Sequence, residues 1–307
     1  MGIGQNTRRE FMRALGAGAA ALAAPPLETA AGTAPAADPP NVVIVLADDL
    51  GYQDLTCYGS SRNRTPHIDR MAAEGVRFTS FYATSGVCTP SRASLLTGCY
   101  PRRVSMHEDE AGEWVLFPVS RKGLNPSELT LPKLLKTRGY STHLVGKWHL
   151  GDQPAFLPRH HGFDHYFGIP YSNDMGEQQR PGNPPLPLLV DDTVVEAPVD
   201  LDTLTERYTQ EAVQIVSESR SRPFFLLLSH FVPHTPLRAG VRFRGKSANG
   251  LYGDSVEELD SSTGTVLAAL ERHGLADNTL VVFTSDNGGV REVNNGPLAG
   301  TKGSTME

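Results

Sequence analysis

Eleven residues, Cys88-Thr89-Pro90-Ser91-Arg92-Ala93-Ser94-Leu95-Leu96-Thr97-Gly98, join a thiol, an early proline, a guanidinium and a closing glycine. Proline is tolerated in the first helical turn and glycine is favoured just past the last. The spacing predicts a helix with Cys88 at its N-terminus, where free N–H groups and the helix dipole favour an anion. Arg92 lies one turn along on the same face and adds a fixed positive fork. For an isolated Cys-x-x-x-Arg, a buried or redox thiol would be the better reading. Two oxygen-bearing pairs accompany this run, Asp48-Asp49 and Asp286-Asn287. Adjacent carboxylates repel unless a cation sits between them, and hard oxygens suit calcium or magnesium. Taken alone, each pair is as often a turn or a helix cap. Lys147 and His149 stand two apart among glycines, so an extended segment would turn both to one face. A cation beside an imidazole suits a site that binds a charged group and moves protons, although Lys-x-His alone reads as a solvated loop.

The elements that position these residues come from the apolar pattern. Residues 42–46 form a β-branched run, the mark of a buried parallel strand, and they end at Asp48-Asp49. Residues 140–145, 224–228 and 280–284 read as further strands, and 76–82 as another. Ligand sites in open α/β sheets lie beyond the carboxyl ends of strands, where Lys147, His149, Asp286 and Asn287 would then sit. Helices are predicted from Thr65-Pro66 to Glu74-Gly75, from Leu131 to about Arg138, over 204–219 and over about 255–273. Residues 181–198 are Pro-rich and read as a long surface connection. His67 reads as a surface or packing histidine, and His160 and His161 as loop residues.

The 307 residues suffice for one large domain or two smaller ones. With 39% hydrophobic and 20% charged residues the chain can bury a core, and a net charge of −6 argues against a nucleic-acid partner. Cys57, Cys88 and Cys99 form neither a disulfide framework nor a Cys-x-x-Cys metal pattern; Cys57 and Cys99 read as reduced core thiols, with pairing the alternative. At the N-terminus, Arg8-Arg9 precede Phe11 and an apolar Ala/Gly/Leu run to Ala24, with small residues near Ala34-Pro35-Ala36. Residues 1–37 therefore read as an export signal that resembles the twin-arginine type, with 38–307 as the catalytic domain and the periplasm as destination. An ordinary secretory signal or an uncleaved tail is the alternative.

The run from Cys88 to Gly98 closely resembles the signature of the sulfatases, with its Cys-x-Pro-Ser-Arg core and Leu-Leu-Thr-Gly tail intact. Gly139-Tyr140-Ser141-Thr142-His143-Leu144-Val145-Gly146-Lys147 resembles the second signature of that family, in the right order. The stretch from Leu157 to Ser172 resembles the arylsulfatase A-like branch. The resemblance implies an α/β fold of the alkaline phosphatase and sulfatase kind, a mostly parallel central sheet with helices on both faces. Sulfatases usually continue into a smaller C-terminal subdomain, which the resemblance over residues 41–307 leaves out. It also implies that Cys88 is converted to formylglycine, an aldehyde whose hydrate is the nucleophile, through a formylglycine-generating enzyme. Asp48, Asp49, Asp286 and Asn287 match the metal set of the family, with modified Cys88 and with Ca2+ or Mg2+ as the ion. Arg92, Lys147 and Lys302 match its cations and His149 its catalytic base. Ser172 matches a substrate-contacting serine and His234 a His-x-Pro histidine, with His230 the competitor. The expected substrate is a sulfated small molecule or glycan, and the expected export partner is the twin-arginine translocase. A phosphonate monoester or phosphodiester hydrolase of the same superfamily is one rival; a non-catalytic anion-binding fragment is another.

Overall fold

The computed structural model describes residues 38–219, 222–290 and 295–304. The export-signal reading of residues 1–37 lies outside them. Among the described residues no helix is long and apolar enough to cross a membrane.

The sheet forms where the sequence carries unbroken apolar runs. Its strands are β1 (Asn41–Ala47), β2 (Ser141–Gly146), β3 (His165–Gly168), β4 (Leu188–Val190), β5 (Thr193–Glu196), β6 (Phe224–Ser229) and β7 (Thr279–Ser285). They lie in the order β5-β4-β3-β2-β6-β1-β7. β3, β2, β6, β1 and β7 run parallel; β4 runs antiparallel to β3, and β5 antiparallel to β4. β6 is central and every one of its residues is buried, as a strand covered on both faces requires.

Among the described residues, five α-helices pack around the sheet: α1 (Pro66–Glu74), α2 (Cys88–Thr97), α3 (Leu131–Lys136), α4 (Leu201–Glu218) and α5 (Gly250–Arg272). The strand alternation splits the core in two. Val43, Val45, Leu226 and Leu228 pack with α4, α5 and Ile68 of α1. Ile44, Leu46, Phe225 and Leu227 face the other way and pack with Ala93 and Leu96 of α2 and with Trp148. The mostly parallel sheet with helices on both faces is therefore present. The N-terminus of α1 is capped from a distance: the Asp260 carboxylate on α5 accepts from the N–H groups of His67 and Ile68 at 3.1 and 2.8 Å.

Two expectations are corrected. Residues 76–82 form no strand, and Val76, Phe78, Phe81 and Tyr82 are exposed. The Phe78 and Thr79 carbonyls accept from the Tyr58 and Tyr52 hydroxyls in place of a neighbouring strand. The Pro-rich stretch 181–198 is not a plain connection, because it carries the β4–β5 hairpin. Leu188 and Leu189 are buried there, with Leu189 paired to Gly168 of β3 and Leu188 to Glu196 of β5. β3, four residues long, is too short a run to stand out in the sequence.

Candidate active site

The strand ends are in step. Ala47 pairs with Ser285, Leu46 with Ser229, and Gly146 with Ser229. Asp48, Asp286 and Lys147 therefore leave the sheet side by side at its carboxyl edge. Backbone bonds fix the exits: Asp286 N to Ala47 O at 3.0 Å, Asp48 N to Val232 O at 3.1 Å and Lys147 N to Ser229 O at 2.8 Å. Gly146 permits this close approach, since at φ +118° an added Cβ would lie 1.9 Å from the Ser229 oxygen. Asp49 and His149 hold φ of +63° and +61°, a left-handed conformation that costs a non-glycine residue roughly 1–3 kcal/mol and concentrates at functional sites.

Cys88 is the first residue of α2, and Gly98 closes that helix in the left-handed region. Its sulfur lies 3.4 Å from Asp48 Oδ1 and 3.4 Å from Lys302 Nζ. Burial, then the charge of Asp48, pushes the thiol pKa up, so the sulfur carries a proton. Lys147 Nζ meets Asp48 Oδ2 at 2.5 Å and donates to Ser172 Oγ at 3.0 Å. Lys302 Nζ meets Asp49 Oδ2 at 2.7 Å. The turn carrying Lys302 is held by Lys302 N on Gly289 O and Gly303 N on Gly86 O, both at 2.8 Å. Burial opposes ionisation of Asp48, but Lys147, Arg92 and other cations outweigh it and hold its pKa well below the usual range. Asp286 is pushed up to about 7 by burial and by Asp48, against the pull of Arg92.

Arg92 works from behind. Its Nε and Nη2 reach Asp286 Oδ2 at 3.0 and 2.9 Å, and Nη1 donates to Lys147 O and Ser229 Oγ at 3.0 and 2.7 Å. It fixes the carboxylates and does not line the cavity. The Nε2 of His149 lies 3.0 Å from the Leu116 carbonyl. A carbonyl can only accept, so Nε2 holds the proton and the buried Nδ1 is bare. Burial, with Lys147 and Arg92, keeps this imidazole neutral by lowering its pKa well below 6.5.

Several details suit a bound cation. Ligand atoms of Asp48, Asp49, Cys88 and His234 all lie within 4.8 Å of one another. Asn287 donates from Nδ2 to Asp49 Oδ1 at 2.7 Å, and its Oδ1 is buried with no hydrogen-bond partner among the described residues. His234 places Nδ1 on the Thr235 carbonyl, which leaves Nε2 bare and 3.4 Å from Asp49 Oδ2. Two acceptors face each other there, an arrangement that a cation relieves.

All eleven site residues expected from the sequence converge on this one end of the sheet. His230 does not join them; its Nε2 pairs with Ser262 Oγ at 3.1 Å inside the core. Beyond them, Trp114, Phe117, Asp174 and Arg180 line the same cavity of about 470 Å³ and went unnoticed in the sequence. Trp114 and Phe117 lie in an irregular stretch without periodicity, and Asp174 offered only its place two residues after Ser172.

The sequence matches the Sulfatase family over residues 40–307. Human arylsulfatase A is 44% identical over 281 residues, covering 85% of this chain and 54% of that protein. Human N-acetylgalactosamine-6-sulfatase is 40% identical over 294 residues, covering 90% and 56%. The PsFucS1 sulfatase from Pseudoalteromonas sp. superposes with a TM-score of 0.75 at 30% identity, covering 87% of this chain and 60% of that one. The phosphonate monoester hydrolase of Agrobacterium radiobacter, at 18% identity and a TM-score of 0.55, covers 80% and 62% and shares the fold. The chain spans about half the length of the curated relatives it matches. With a family match from residue 40 onward and relatives at 40–44% identity, the chain belongs to the sulfatase family.

Proposed function

We propose that the protein hydrolyses sulfate esters, with Cys88 converted to formylglycine and a calcium or magnesium ion held by Asp48, Asp49, Asp286 and Asn287. The observation that carries this reading is the Cys88 sulfur itself. It sits at a helix start, equally close to the Asp48 carboxylate and the Lys302 ammonium. The unpartnered Asn287 Oδ1 and the bare His234 Nε2 facing Asp49 suit the ion. When bound, the ion supplies Lewis acidity toward a sulfate oxygen and eases ionisation of a neighbouring hydroxyl. The formylglycine hydrate supplies two hydroxyls on one carbon, one to attack sulfur and one to drive sulfate release.

The residues of the chain divide the remaining work. Lys147 and Lys302 flank the sulfuryl oxygens and offset their charge. Arg92 is a positioning residue that acts through Asp286 and Asp48. Burial opposes the charge on Lys302, but the carboxylates of Asp49 and Asp48 outweigh it and keep the ammonium protonated, so it donates to the departing oxygen. His234 is held neutral, mainly by burial, and orients that end of the site. The bare Nδ1 of His149 accepts the proton of the second hydroxyl. Ser172, bonded to Lys147, orients the substrate. The partners on this reading are a sulfated small molecule or glycan and a formylglycine-generating enzyme. Arg8-Arg9 ahead of Phe11 add the twin-arginine route to the periplasm.

Parallel assays on 4-nitrophenyl sulfate and a 4-nitrophenyl phosphonate ester test the reading. The expected result is a kcat/KM for the sulfate higher by about 100-fold or more, lost on chelation and restored by calcium. A preference for the phosphonate, or undiminished sulfate turnover by Cys88→Ala, would overturn it.

A further inference from the structure

We infer that the outer part of the cavity selects a leaving group with no second negative charge, and that Asp174 enforces this choice; the inference rests on the sulfate-ester reading. Burial grades the cavity. Cys88, His149, Ser172 and His234 form a buried floor, where Lys302 provides a cation for a single anionic group. Toward solvent the walls change to Trp114, which is exposed, and to Phe117, Glu113, Asp174 and Arg180.

Among the described residues lining this rim, Arg180 is the one permanent cation, and its charge is already matched. Its Nη2 lies 2.9 Å from Asp174 Oδ2, and its guanidinium carbon lies 5.0 Å from the centre of the Phe117 ring. Two carboxylates, Asp174 and Glu113, stand against it. Asp174 Oδ1 is buried and has no hydrogen-bond partner among the described residues. An unpaired buried acceptor favours a ligand that donates a hydrogen bond and disfavours one that brings another acceptor or a negative charge. The aromatic walls suit the apolar face of a sugar or an aryl ring. The Trp114 ring also lies within 3.3 Å of where a Cβ on Gly303 would stand, so this wall adjoins the turn that carries Lys302.

The favoured substrate class is therefore a singly sulfated, otherwise uncharged phenol or hydroxyl-bearing sugar. A second sulfate or a carboxylate on the leaving group meets a rim with excess negative charge and no free cation among the described residues.

The test compares two aryl sulfates of matching shape that differ in one meta group, a neutral hydrogen-bond donor against an anionic acceptor: 3-carbamoyl-4-nitrophenyl sulfate and 3-carboxy-4-nitrophenyl sulfate, with the formylglycine-bearing protein. The expected kcat/KM ratio favours the carbamoyl compound by about tenfold, the scale of one like-charge contact at a partly solvated rim. It narrows in high salt. Asp174→Asn is expected to cut the ratio to about threefold or less, chiefly through the KM of the carboxylate substrate, and Arg180→Gln to enlarge it. Both variants are read by the ratio, so a general loss of activity does not imitate the effect. A wild-type ratio near one, or a ratio that neither variant moves, would overturn the inference while leaving sulfate-ester hydrolysis intact. Failure to turn over 4-nitrophenyl sulfate at all would instead overturn the underlying reading.

Discussion

Lys147 shows how much of this site depends on single side chains. Its ammonium is wholly buried and bonds the equally buried Asp48. Removing Lys147 leaves the buried Asp48 charge with Arg92 Nη2, 3.4 Å away, as its remaining ion-pair partner; losing one partner of a buried pair costs roughly 3–5 kcal/mol, and Arg92 places this case at the low end. Lys147→Ala is expected to lower unfolding free energy by about 3 kcal/mol in urea titration and to abolish hydrolysis together. An unchanged denaturation midpoint would contradict the pairing. The residue types were largely legible in the sequence, but only through the two long signatures. Asp48-Asp49 and Asp286-Asn287 alone read as turns, and nothing in their spacing, over 230 positions apart, said that Asp49 N would lie 3.3 Å from Asp286 Oδ1. The rim residues were illegible, because a cavity wall built from an irregular stretch has no period to detect.

The elements carry two further predictions. At the C-terminal end of β2, Gly146→Ala would force a Cβ into the Ser229 carbonyl at a positive φ. Overpacking and backbone strain together should cost roughly 3 kcal/mol or more, seen as a large drop in Tm; a drop of a degree or less would contradict the packing. On β3, His165 joins two elements, with Nδ1 3.1 Å from Asp191 and Nε2 2.7 Å from Glu211 on α4. The hydrogen bond to Glu211 leads the causes that raise its pKa, with burial opposing. A raised folded pKa means its stabilisation is complete below the unfolded value, about 6.5, and is lost as pH rises through the folded one. The Tm difference between wild type and His165→Gln should be larger at about pH 5.5 than at about pH 8.5; the reverse order would contradict the sign. Strand and helix positions were legible where apolar runs or caps were strong, as in β1, β6, β7, α1 and α4. Residues 76–82 carry β-favouring Val, Phe, Thr and Tyr but pair with no strand among those described. The β4–β5 hairpin was hidden because its prolines masked a short pair that only β3 stabilises. Register and strand order came from long-range pairing, to which local pattern is blind.

For the molecule as a whole, two hydrophobic cores hold one sheet rigid, and its carboxyl edge gathers charged groups from β1, β2, β7 and α2. On the proposed reading, a cation held by Asp48-Asp49 and Asp286-Asn287 would tie the ends of β1 and β7 together. Calcium at about 100 times its dissociation constant should add about 2.7 kcal/mol of stability by mass action. The expected outcome is a rise in Tm with calcium that Asp286→Ala removes; equal Tm with calcium and with chelator would argue against the ion. The central claim is tested most directly by joint measurement of Cys88 chemistry and turnover. Peptide mass spectrometry gives the fraction of residue 88 that has exchanged its sulfur for an aldehyde, across preparations with graded conversion. The account predicts that kcat on 4-nitrophenyl sulfate rises in proportion to that fraction and vanishes where all of residue 88 remains cysteine. Full turnover by protein that retains the sulfur would contradict it.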